Sequence, residues 1–167
     1  MLLHRPIVAC AALLRTQCQQ TRDQQQQPPR ICCVGIACVD IVSSVAAYPA
    51  EDSDARALTQ ELHRGGNASN TLTVLSQLGT EGYFCGCLGG DMWADFLVQD
   101  FHDCSVNTEY GLRREAAATP TSCITLSQAS GSRTIVHINE LPEMRASEFR
   151  HVASTFMHIT LNFSSAK

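Results

Sequence analysis

The chain has 167 residues, 44% of them apolar and 17% charged, with a net charge of −4 at neutral pH. This composition suits one soluble globular domain of ordinary size. The small negative charge gives no reason to expect nucleic acid or an anionic membrane as a partner.

Residues 1–29 differ in kind from the rest of the chain. The apolar patch 7–14 is only eight residues long, too short to span a bilayer. Arg5, Arg15 and Arg22 precede the first acid, Asp23, and the glutamines 24–27 run into Pro28-Pro29. The composition is that of a disordered or alternative N-terminal extension; a targeting peptide is the competing reading.

Residues 31–39 are apolar apart from one glycine and end at Asp40. Such a run reads as one strand buried on both faces of a parallel sheet. Ligands of open α/β sheets bind beyond the carboxyl ends of the strands, which marks Asp40 as a candidate. A solvated residue closing the strand is the alternative. Segments 43–47 and 55–62 are candidates for an added lid.

Arg64-Gly65-Gly66-Asn67-Ala68-Ser69-Asn70 is the most informative stretch. Ala68, Leu72, Leu75 and Gly79 follow at the spacing of one buried helix face, so a helix starts at the glycines and ends at Gly79. Asn67 and Asn70 lie one turn apart, and amides carry both donors and an acceptor for a hydroxyl-rich ligand. A tight turn with an asparagine cap would give the same letters.

Residues 82–88 read as a second buried strand. Gly89-Gly90-Asp91 then precedes a helix carrying Ala94, Leu97, Val98 and Phe101, with Asp91 as its cap or as a ligand group. Residues 122–127 and 134–138 are short strands joined by a hairpin-like connection at 128–132. Arg133 comes just after that turn, as a binding group or a solvated arginine. Strands alternating with helices predict an α/β fold with a parallel sheet. Five of the nine cysteines (Cys32, Cys33, Cys38, Cys85, Cys87) lie in apolar runs, where free cysteine acts as a small hydrophobe. Their pattern fits a reduced, intracellular compartment. The histidines are scattered without ligand-like spacing, so no metal site is expected.

Taken in order, Cys33-Val34-Gly35 through Asp40, Tyr48-Pro49-Ala50-Glu51-Asp52-Ser53 and the Arg64–Asn70 stretch resemble the ketohexokinases, within the PfkB group of ribokinase-like sugar kinases. Leu88-Gly89-Gly90-Asp91, Ala94-Asp95-Phe96-Leu97-Val98, Thr119-Pro120-Thr121-Ser122-Cys123 and Gly131-Ser132-Arg133-Thr134-Ile135-Val136 agree with it. The match runs from about residue 30 to about 159, close to four fifths of the chain, and covers the first half of such an enzyme.

The resemblance implies a parallel sheet flanked by helices, with a small β-sheet lid that pairs between subunits. Asp40, Gly66, Asn67 and Asn70 would hydrogen-bond the sugar, Asp52 would reach a sugar from the lid, and Arg133 would approach the nucleotide phosphates. It also implies ATP and Mg²⁺ as cofactors, fructose or a related sugar as substrate, a lid-mediated homodimer and a cytoplasmic location.

The family's Gly-Ala-Gly-Asp motif, which supplies the catalytic base, does not occur in the chain. Thr160 stands where an acidic residue is expected, and 161–167 match nothing in the family. The expectation is therefore a truncated domain, with 30–160 as its N-terminal part and 161–167 as a divergent tail. Such a chain would be inactive alone and would expose an unpaired sheet edge. A fragment of another sugar or nucleoside kinase of this group, or a non-enzymatic truncated product, is the alternative.

Overall fold

The computed structural model describes residues 28–156 and 158–161. The readings made on residues 1–27 and 162–167 lie outside these. Among the described residues eleven elements run in chain order: β1 (Arg30–Val34), β2 (Cys38–Val45), β3 (Thr59–Gly65), α1 (Asn67–Gln77), β4 (Glu81–Gly89), α2 (Met92–Asp103), β5 (Val106–Arg114), β6 (Thr121–Ser127), β7 (Arg133–Ile138), α3 (Ala146–Ala153) and β8 (His158–Leu161).

They form two four-stranded sheets. The first, ordered β5-β4-β1-β8, is parallel throughout. Helices α1 and α2 cover one face, where Leu72, Phe84, Leu97, Phe101 and Val106 pack around the stacked rings of Phe84 and Phe101, 4.7 Å apart. On the opposite face Cys32, Tyr83 and Cys85 meet Val152 and Phe149 of α3. Burial on both faces explains why β4 is apolar along almost its whole length. The second sheet is ordered β3-β2-β6-β7. In it β2 runs parallel to β6 and antiparallel to β3, and β7 returns antiparallel on β6.

The apolar run at 31–39 is not one strand. The chain leaves the first sheet at Val34 and enters the second at Cys38, through Gly35, Ile36 and Ala37. Both ends of the run are buried, so hydropathy carries no trace of the break. Asp40 is accordingly not a strand tip but the third residue of β2. The lid segments expected at 43–47 and 55–62 belong to this second sheet with shifted bounds: β2 ends at Val45, and β3 starts at Thr59 and runs on to Gly65. The hairpin expected at 122–138 is present as β6 and β7, and it extends the second sheet rather than the parallel one.

The helix expected from the glycines is α1, and Asp91 caps α2 by accepting from the Ala94 amide. All five cysteines assigned to apolar runs are buried and free. Among the described residues no helix is long and apolar enough to cross a membrane.

Candidate functional site

The site grows from the junction of β3 with α1. Antiparallel pairing sets Cys38 opposite Gly65 and Asp40 opposite His63. The Asp40 carboxylate leans over Gly65, where a Cβ would stand 2.3 Å from Oδ2. Glycine is thus required for the carboxylate to occupy this place. Gly66 takes a φ of 100°, a region that favours glycine, and a Cβ there would meet the Ile36 carbonyl oxygen at 2.3 Å.

Helix α1 begins directly afterwards, with Gly66 as N-cap and no side chain capping it. The first-turn amide donors are thereby left to solvent or to a ligand. Asn67 and Asn70 are exposed on this turn. A carboxylate acceptor and free amide donors lie side by side here, and two exposed carboxamides follow on the first residues of α1, donor and acceptor chemistry suited to a polyhydroxyl compound.

Buried groups hold this arrangement in place. The Arg64 side chain, only 3% exposed, pairs with Asp100 at 2.5 Å and lies over the Phe101 ring, 4.1 Å from its centroid. It also donates to the Ser69 carbonyl at 3.1 Å, to the Ser69 hydroxyl and to Thr73 Oγ1 at 2.8 Å. One guanidinium therefore ties the end of β3 to the first turns of α1 and the last turns of α2. On the other side, the Cys38 thiol donates to Asp40 Oδ1 at 3.5 Å. Burial, reinforced by the Asp40 charge, pushes that thiol up to about 12, so it remains a protonated donor.

Two other ion groups fasten the frame. Burial pushes the Asp91 carboxyl up, but hydrogen bonds from the Thr119 side chain and backbone and from the Ala94 amide outweigh it and hold the group below its ordinary value. Glu148 is brought down to about 2, chiefly by the Arg114 guanidinium at 2.8 and 3.0 Å and further by the Arg145 amide.

Of the six residues singled out in the sequence, Asp40 and Gly66 lie at this junction, and Asn67 and Asn70 follow on the first residues of α1. Asp52 does not join them. It is exposed in the β2–β3 connection, with a left-handed φ of 56°. Between Asp40 and that connection β2 runs on to Val45, roughly 16 Å at the usual rise. Arg133 opens β7 opposite Leu126, whereas the Asp40 row ends at His137. It stands roughly 13 Å along and 10 Å across the sheet from Asp40. Sequence reasoning missed Arg64 as an anchor, although it directly precedes the glycines. It also missed Ser122 and His137, which lie beside Asp40 only through strand register.

Comparison with known proteins agrees with the fold. Residues 28–158 match the model of the pfkB family carbohydrate kinases. Ketohexokinase of Mus musculus is 42% identical over 127 residues, covering 75% of this chain and 43% of the mouse protein. Among solved structures, a putative ribokinase from Agrobacterium tumefaciens superposes with a TM-score of 0.69 at 19% identity, over 80% of this chain and 44% of that one. Arabidopsis thaliana ribokinase complexed with ribose and ATP gives 0.68 at 22% identity, over 80% and 45% of the two chains. Fructokinase from Xylella fastidiosa gives 0.63 at 25%, over 79% and 40%. The chain spans less than half the length of each of these relatives. It adopts the α/β fold of the ribokinase-like proteins and belongs to the pfkB family of carbohydrate kinases.

Proposed function

We propose that this chain is the sugar-binding half of a ketohexokinase-like kinase, an enzyme that phosphorylates fructose to fructose 1-phosphate with ATP. The observation that carries this reading is the Asp40 carboxylate seated on Gly65 beside the uncapped start of α1. Asp40, Gly66, Asn67 and Asn70 hold the sugar hydroxyls. The 42% identity to mouse ketohexokinase favours fructose over other sugars. The solved ribokinases favour a second reading, a ribose-type substrate at the same residues.

The second sheet is the lid, and its face opposite Asp40 is suited to pairing with another copy. There the register lines up Leu62, Ile41, Cys123 and Val136, and Leu62 and Val136 are 43% and 69% exposed. Such pairing would carry Asp52 of one subunit toward the site of its partner. The domain is assigned to 30–160, with 1–29 an extension and 161–167 a tail whose first residue, Leu161, still closes β8, and the setting is cytoplasmic.

Arg133, exposed on the same sheet face as Asp40, is the group available to a phosphate. One guanidinium is not a nucleotide cradle, and among the described residues no group of three His, Cys, Asp or Glu could hold a metal. No step through ATP or Mg²⁺ is therefore assigned to these residues. The Gly-Ala-Gly-Asp base is absent from the sequence, and loss of a general base alone costs about 10²–10⁴-fold. The purified 167-residue chain should accordingly yield no fructose-dependent ADP. Turnover above background would overturn the inactive-half reading. Binding assays with fructose, ribose and adenosine separate the two substrate readings.

A further inference from the structure

Asp40 is linked to an exposed histidine through two buried side chains on one face of the second sheet. Register places Ser122 beside Asp40 and His137 beside Ser122. Cys38, two residues before Asp40, points to the same face. The Cys38 thiol donates to Asp40 Oδ1 at 3.5 Å and lies 3.9 Å from Ser122 Oγ. Ser122 Oγ in turn lies 3.0 Å from His137 Nδ1. Cys38 and Ser122 are each 5% exposed, while His137 is open to solvent.

The Cys38 S–H is a single proton facing two acceptors, Ser122 Oγ and Asp40 Oδ1. A protonated imidazole donates from both nitrogens. Its Nδ1–H then donates to Ser122, the Ser122 hydroxyl donates to Cys38 Sγ, and the thiol proton is directed to Asp40. When Nδ1 is an unprotonated acceptor, the Ser122 hydroxyl turns to His137. Its oxygen then competes for the thiol proton, and the Asp40 carboxylate loses that tether. The other oxygen, Oδ2, is confined against Gly65, so the thiol contact decides how firmly the carboxylate is aimed.

We propose that Cys38, Ser122 and His137 are positioning residues for Asp40, so that sugar affinity at Asp40 follows the protonation of His137. This rests on the sugar-site reading above. The titratable and charged groups sharing the face are Asp40 and Cys38 from β2, Glu61 and His63 from β3, and Arg133 from β7; β6 contributes none. His63 lies 3.1 Å from Glu61 rather than in the relay, which makes it the control histidine.

Two measurements on the full chain test the proposal. The first needs no sugar: the NMR titration midpoint of the His137 ring, assigned with His137→Phe. Cys38→Ala, which touches no atom of His137, should move that midpoint by several tenths of a pH unit, and Cys38→Ser should restore it. The second is fructose affinity across about pH 5.5–8, the window in which histidine side chains as a class change charge. Affinity should weaken about threefold or more as pH rises. Ser122→Ala and His137→Phe should flatten the profile, and His63→Gln should leave it intact. A purely structural role would lower the melting temperature without altering the profile. An unmoved His137 midpoint in Cys38→Ala, or a wild-type profile in His137→Phe, overturns the relay. No fructose binding at any pH overturns the sugar-site reading and the affinity claim with it, while the NMR midpoint still decides whether the relay exists.

Discussion

At the scale of single residues, the site depends on a carboxylate that fits only because position 65 lacks a side chain. Asp40→Ala and Asn67→Ala should each weaken fructose binding by about 1–3 kcal/mol, the cost of removing one partner of a buried hydrogen bond. Gly65→Ala should match Asp40→Ala, because the added Cβ would stand 2.3 Å from Oδ2 and displace the carboxylate. Calorimetric titration reads all three, and a normal affinity in Gly65→Ala would show that Asp40 does not act from this place. Arg64 calls for a different measurement. Its side chain is 3% exposed and its partner Asp100 is 38% exposed. Breaking a fully buried pair costs about 3–5 kcal/mol, and partial solvation of Asp100 lowers the expectation for Arg64→Met to roughly 2–4 kcal/mol. Arg64→Lys should fall between the two, since an ammonium cannot reproduce the planar fork toward Asp100, Ser69 and Thr73. Urea unfolding checks this, and an unchanged midpoint in Arg64→Met would remove the guanidinium from the account of the junction.

At the scale of elements, the Arg114–Glu148 pair joins β5 to the start of α3 and should give the fold an acid-sensitive fastening. The folded Glu148 carboxyl lies at about 2, below its unfolded range. Its contribution is therefore full above the unfolded carboxylate range, about pH 4–5, and is lost as pH falls toward 2. Glu148→Gln should flatten the fall in melting temperature over that window, and an unchanged slope would show that the pair does not couple to folding. The sequence revealed α1 and α2 because each buries one periodic face beside a glycine or aspartate start signal. It did not reveal β5, whose charged and polar residues belong to an edge strand, nor α3, which carries only Phe149 and Val152 as large apolar groups. The break between β1 and β2 was invisible because hydropathy reports burial and not which sheet supplies it. The same break put Asp40 inside a strand instead of at its tip, yet beside the glycines that the sequence had already marked. Asp52 lies in the β2–β3 connection rather than at the junction. Asp52→Asn should lower fructose affinity while shifting the melting temperature by only a few degrees, since surface changes are worth about ±0.5 kcal/mol. Mixing Asp52→Asn subunits with Asp40→Ala subunits should recover binding in sites that pair an intact Asp40 with a partner's intact Asp52. With subunit exchange confirmed, no recovery would rule out a shared site.

At the scale of the whole molecule, a parallel sheet carries the helices while a second sheet brings Asp40 over the start of α1. Register, rather than any local motif, supplied the rest of the neighbourhood: Ser122 and His137 come from strands more than 80 residues beyond Asp40. The chain spans 43% of the mouse relative, and the role proposed for it is sugar recognition at this junction. Backbone amide NMR of the full chain during a fructose titration addresses that assignment most directly. Fructose should shift the amides at 38–42 and 65–70 together and saturably, and Asp40→Ala should abolish the response. Shifts confined to other surfaces, or a response unchanged by Asp40→Ala, would contradict the placement of the sugar at this junction.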